Sequence, residues 1–249
     1  MGFDAKELNR RGMAALAAAL GGGLLTLRGG IIVPALADDK DEDKEGEGKG
    51  GEDVSATEDL MREHGVLRRI LIVYAELARR LEAGHGAVDA AALVDAAKLF
   101  RDFGEDYHEQ MLEEAYLFPE VRKAAGPNEK LVEVLLAQHQ RGREITDYVQ
   151  RVASRGKTGA DAEPLSRALS SMVRMYNAHA AWEDTVLFPA WKAMQSKQRL
   201  DELADKFEDI EKAKFGKDGF DDAVARIARI EQAFGLGDLA FFTAPPPAA

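Results

Sequence analysis

Along most of the chain, apolar residues recur at three- and four-residue steps, the spacing that keeps one helix face in a core. Leu67, Ile70, Leu71, Tyr74, Leu77, Ala78 and Leu81 follow it from about residue 57 until Gly84-His85-Gly86 ends the run. A second helix is expected from about 88 to 115, bending at a Leu-Phe-Pro. A third runs from about 128 to 152, with Asn128 placed to cap its start, and a fourth from about 162 to 194. No stretch alternates with period two, so no sheet is expected. Four long helices with short connections predict an all-α, up-down-up-down four-helix bundle over residues 56–196. Beyond it, 199–214 reads as a short charged helix and 215–220 as a turn, followed by an amphipathic helix over 221–234. The stripe Phe220, Val224, Ile227, Ile230 and Phe234 is expected to pack on the outside of the bundle. Residues 197–249 are therefore a C-terminal helical extension ending in a Pro-rich tail.

The first 55 residues break this pattern. Arg10-Arg11 precede an Ala/Gly/Leu-rich run over 13–27, and Ala35-Leu36-Ala37 offers a small-x-small cleavage site. This predicts a twin-arginine export signal over 1–37 and a mature protein beginning near Asp38, in the periplasm or otherwise exported. The apolar run is short and interrupted by glycine, poor material for a stable membrane span. Residues 38–55 contain the stretch DDKDEDKEGEGKGGED, which has no apolar residue and reads as a disordered linker. That stretch carries nine acids and three lysines, so it supplies −6 of the net charge of −11 and leaves the folded part closer to neutral. No basic stripe with interleaved aromatics appears, which argues against a nucleic-acid partner. Cysteine is absent, which excludes disulfides, thiolate metal sites and a cysteine nucleophile.

The chemistry gathers around a motif that occurs twice. Glu113 is followed by Leu117-Phe118-Pro119, and Glu183 by Leu187-Phe188-Pro189, at an offset of 183 − 113 = 70. His179 stands four residues before Glu183, one helical turn away on the same face, where the two can share a metal. Each bundle helix carries a histidine: His64, His108, His139 and His179. Imidazoles and carboxylates projecting inward from facing helices suit iron, manganese or zinc. The fifth histidine, His85, sits between glycines and reads as an exposed loop residue.

The start Asp59-Leu60-x-x-Glu63-His64, the two E-x-x-x-L-F-P motifs and the H-x-x-x-E of the fourth helix resemble the hemerythrin-like (HHE cation-binding) domain, over about residues 57–194. The resemblance implies a non-haem centre of two iron ions, with Glu113 and Glu183 bridging and His64, His139 and His179 as terminal ligands. Zinc or manganese are the lesser candidates. Helix two departs from the pattern: the position matching His179 is 179 − 70 = 109, which is Glu109, with His108 one residue earlier. On a regular helix, residues five apart diverge by about 140°. Either a local π-bulge turns His108 inward, or Glu109 is the ligand and His108 supports it. Imidazole is the usual donor, which favours His108. Helix three carries Leu135 and Arg143 where muscle-type oxygen carriers have a second histidine one turn from the first.

Such a centre can bind dioxygen or nitric oxide, or handle iron, outside the cytoplasm. Two other classes stand beside this one. One is a di-iron enzyme, such as a peroxidase, a nitric oxide reductase or an iron-centre repair factor. The other is a redox-inert bundle that metal merely stabilises.

Overall fold

A computed structural model describes residues 54–84, 88–124, 126–156 and 161–247. The expected signal, the acidic linker up to Asp53, and His85 lie outside the described residues. Helix α1 spans Ala56–Glu82 and starts at Ser55, whose hydroxyl accepts the Glu58 N–H. Helix α2 covers 90–123 in three windings: α-helical Ala90–Leu99, π-helical Phe100–Leu117 and α-helical Phe118–Lys123. Helix α3 is Glu129–Ala153. Helix α4 covers 162–193, with π-helical Glu183–Leu187 between Ala162–Trp182 and Phe188–Ala193. Helices α5, Lys197–Phe215, and α6, Gly219–Ala233, follow. Among the described residues there is no strand, and no helix is long and apolar enough to cross a membrane.

Cross-helix partners fix the topology. Ser166 at the start of α4 donates to Ala78 O near the end of α1, while His64 near the start of α1 meets Asp184 near the end of α4. In the same antiparallel sense α2 lies against α3, through Gln150 to Ala97 O and His139 to Glu114, and α3 lies against α4. The result is an all-α bundle running up-down-up-down. Its core is continuous and aromatic-rich: Phe100, Phe103, Phe118, Phe188 and Trp191 are fully buried. The Trp191 indole donates to Glu120 across the bundle end at 2.6 Å.

Three local expectations need correction. The second helix does not stop near residue 115 but continues through Pro119 to Lys123, while α4 runs through Pro189 to Ala193 as expected. Each proline stands in the first turn of the resumed α winding, where a missing N–H costs little. Asn128 precedes α3 but has helical backbone angles, and its side chain makes no capping bond. The charged helix after the bundle is a full 19 residues, ended by Gly216 in the left-handed conformation at φ 69°.

Helices α5 and α6 pack against α1 and α2. Phe207 meets Tyr116, and Phe215 meets Phe103 and Tyr107. Ile227, Ile230, Phe220 and Phe234 are buried, as the stripe requires, and Val224 partly so. Arg69 holds Glu231 through two N–H groups, and Arg226 donates to Asp95. Partly exposed ion pairs of this kind are worth about 0–1 kcal/mol each. Each buried apolar side chain contributes about 1.5–3 kcal/mol, so the aromatic and aliphatic seam dominates the docking.

Candidate metal centre

The repeated E-x-x-x-L-F-P has a structural meaning. In both copies the phenylalanine N–H, of Phe118 or Phe188, bonds to the carbonyl of the glutamate five residues back. The motif thus encodes a π turn, and Phe118 and Phe188 end up fully buried. Phe118 stacks on His139 and Phe188 on His64, at ring separations of 5.4 Å in both cases. Those rings close one side of the site.

His64, His108, Glu113, His139, His179 and Glu183 converge, and each is at most 3% exposed. The four imidazoles form two pairs. Nε2 of His64 lies 3.0 Å from Nε2 of His108, and Nε2 of His139 lies 3.2 Å from Nε2 of His179. The two carboxylates stand between the pairs. Glu113 places Oε1 3.3 Å from His108 and Oε2 3.4 Å from His139. Glu183 Oε2 lies 2.9 Å from His179 and 3.4 Å from His64. All four oxygens of Glu113 and Glu183 are buried without a hydrogen-bond donor among the described residues. Buried carboxylate oxygens are costly unless something positive meets them. Four converging imidazole nitrogens and four orphaned oxygens fit a pair of cations. Among the described residues three groups have ligand atoms close enough to hold a metal: Glu113, His139, His179 and Glu183; His64, His108 and Glu113; and, on the outer side of His139, Glu109, Glu114 and His139.

The choice at helix two falls to the π winding. Because α2 is π-helical across this region, residues five apart share a face, and His108 reaches Glu113. Glu109 also points inward but turns away from the cluster. It accepts the Tyr176 hydroxyl at 2.5 Å and Arg143 at 3.3 Å. Tyr176 reaches it only because residue 142 is glycine: a Cβ there would meet the Tyr176 oxygen at 2.1 Å.

Every imidazole that offers Nε2 to the centre must donate from Nδ1, and each has an acceptor. His64 Nδ1 lies 2.7 Å from Asp184, His108 Nδ1 2.7 Å from Glu63, His139 Nδ1 2.9 Å from Glu114, and His179 Nδ1 2.9 Å from Gln138 Oε1. Arg68 clamps Asp184, and Arg143 clamps Glu114 at 2.5 Å. Such partners fix the tautomer and ring orientation and raise ligand basicity. Glu63, Arg68, Gln138 and Tyr176 were not legible as site residues from the 70-residue repeat. A second repeat carries three of them: Glu63-His64-x-x-x-Arg68 and Gln138-His139-x-x-x-Arg143, at an offset of 139 − 64 = 75.

The electrostatics follow from this crowding. Burial alone lowers the basicity of His108, but Glu113 and Glu63 override it and raise its pKa well above the usual imidazole value. His139 is likewise depressed by burial, yet Glu109, Glu113 and Glu114 bring it to about 10. Burial pushes Glu113 up, and the facing His108 and His139 pull it well below the carboxylate range. Eight residues before Glu113 on α2, Glu105 is driven up to about 8 by burial and by Glu109, with Thr146 donating to it at 2.5 Å. A small cavity borders the cluster on the side away from the phenylalanines, lined by His64, Leu67, Leu71, Glu109, Tyr176 and Ala180 among others.

Buried histidines and glutamates converging from four helices make this a bundle of the cation-binding class. The chain belongs to the family of the hemerythrin HHE cation binding domain, whose profile matches residues 55–191 and again, overlapping, 130–233. It is similar to proteins described only as uncharacterised in Mycobacterium tuberculosis and Mycobacterium bovis, each 44% identical over 194 residues, covering 76% of this chain and 74% of theirs. No solved structure gives a significant match.

Proposed function

We propose that the cluster holds two iron ions, bridged by Glu113 and Glu183, with His64 and His108 on one ion and His139 and His179 on the other. The observation that carries this is the set of four orphaned, buried carboxylate oxygens facing four Nε2 atoms. Two imidazoles and two shared carboxylates would give each ion at most four protein donor groups, leaving room for a small exogenous ligand. The adjoining cavity, where Leu67, Leu71 and Ala180 stand beside Arg68, Glu109, Tyr176 and the imidazoles, suits dioxygen or nitric oxide. The protein would bind such a ligand, or hold iron, rather than turn over a larger substrate. Anaerobic loading with Fe(II) should give about two irons per chain, and exposure to air should bring up the near-ultraviolet and visible absorption of an oxygen-bridged ferric pair. One zinc per chain, or no metal and no spectral change, would instead support a redox-inert bundle.

We further propose that the protein works outside the cytoplasm, on the strength of Arg10-Arg11, the apolar run and Ala35-Leu36-Ala37. Replacing Arg10-Arg11 by Lys-Lys should trap precursor in the cytoplasm, and export at the normal rate would remove the twin-arginine assignment.

A further inference from the structure

The two halves of the centre are related by an approximate twofold. His64 matches His139, Asp184 matches Glu114, Arg68 matches Arg143 and Phe188 matches Phe118. One pair of equivalent positions breaks the symmetry in charge. Glu63, just before His64 on α1, accepts from Nδ1 of His108 on α2 at 2.7 Å. Gln138, just before His139 on α3, accepts from Nδ1 of His179 on α4 at 2.9 Å. Both contacts are side chain to side chain with the same donor atom, so the difference lies in what accepts: a carboxylate in one half, a neutral amide in the other.

Resting on the two-metal assignment above, we infer that Glu63 and Gln138 make the two metal positions unequal. The position of His64 and His108 is the tighter and fills first, while that of His139 and His179 is the weaker and exchanges its ion more readily. A carboxylate accepting the Nδ1 proton pushes electron density onto the ring and makes Nε2 the better donor to a dication. An amide does so far less. At the first position both imidazoles lean on carboxylates, Asp184 and Glu63. At the second, only His139 does, through Glu114. Other nearby charges do not cancel this difference. Asp184 and Glu114 each share their charge with one arginine. The extra carboxylate of the second half, Glu109, lies 3.8 Å from His139 Nδ1 and adds to the basicity of that ring, with its own bonds going to Arg143 and Tyr176, but His179 still leans on the neutral amide of Gln138.

The test is an anaerobic titration of the metal-free protein with Co(II), whose visible absorption reports each ion as it enters, repeated on Glu63→Gln and Gln138→Glu. The unmodified protein should bind two ions in resolved steps. Glu63→Gln should weaken the first step about 10–100-fold and merge it with the second. Gln138→Glu should tighten the second step by a comparable factor, a gain that structural damage would not produce. Two ions entering with equal affinity, or a second step unmoved by Gln138→Glu, would overturn the inequality and leave the two-metal assignment standing. Fewer than two ions per chain in the unmodified protein would overturn that assignment itself.

Discussion

A chain carrying Glu113→Ala and Glu183→Ala together should retain no metal. Each of these carboxylates spans both imidazole pairs, Glu113 reaching His108 and His139 and Glu183 reaching His179 and His64. Together they supply all the negative charge that touches the pairs on the Nε2 side. Without them, two dications would sit in a fully buried pocket facing only neutral nitrogens, a placement that burial makes prohibitive. Removing a single glutamate leaves one bridge and should give partial occupancy. Metal analysis of the purified chain measures the loss, and thermal unfolding checks it independently. The unmodified protein should gain about 2.7 kcal/mol for each ion whose dissociation constant the free metal exceeds a hundredfold, and the double variant should gain nothing. The isosteric pair Glu113→Gln and Glu183→Gln guards against a folding artefact. Full metal occupancy in both double variants would sink the assignment of the bridging carboxylates.

The second large effect is on pH. Without metal, the neighbouring carboxylates outweigh burial and favour protonated imidazoles: His139 is pushed up to about 10, and His108 and His64 are raised as well. An incoming cation must displace those protons. Metal affinity should therefore fall steeply as the solution is acidified, about tenfold per pH unit for each proton released, and loading in weak buffer should acidify the solution. The stability of the metal-free protein has the opposite sign at its alkaline end. A histidine raised from 6.5 to about 10 contributes stability that is complete below 6.5 and is lost as pH rises through 10. Glu113, held well below 4.5, contributes stability that is present above that value and lost on acidification. Dissociation constants measured between about pH 6 and 8, with thermal unfolding of the metal-free form over a wider range, check both halves. An affinity that does not change with pH would mean that the imidazoles are already free of protons.

The helices and their inward faces were legible because apolar residues such as Ile70, Leu71, Tyr74 and Leu77 repeat at helical steps and are buried in the structure. The convergence of Glu113, Glu183 and the four histidines was legible too, since one duplicated motif and one histidine per helix limit where a site can form. Two kinds of feature were not. The continuation of α2 through Pro119 depends on a π turn just before the proline, a hydrogen-bond register that hydrophobic spacing does not encode. The outer partners of the imidazoles act across helices: Glu63 serves His108, Gln138 serves His179 and Asp184 serves His64, at separations of 41 to 120 residues. Seen in sequence, each is a polar residue beside a more conspicuous neighbour.

The π winding of α2 also bears on how a duplicated bundle can become asymmetric. Between histidine and glutamate, α2 has one residue more than α4: His108 to Glu113 is five steps and His179 to Glu183 is four. In an ordinary helix an added residue swings everything after it through about 100°. Here the winding absorbs the surplus, and Leu117 and Phe118 are buried just as Leu187 and Phe188 are. The surplus residue is not silent: the place that mirrors His179 now belongs to Glu109, an acid held by Tyr176 and Arg143 that has no counterpart in the other half. The loosened coil gives one half of the molecule an additional buried acid while Leu117 and Phe118 keep the packing of Leu187 and Phe188.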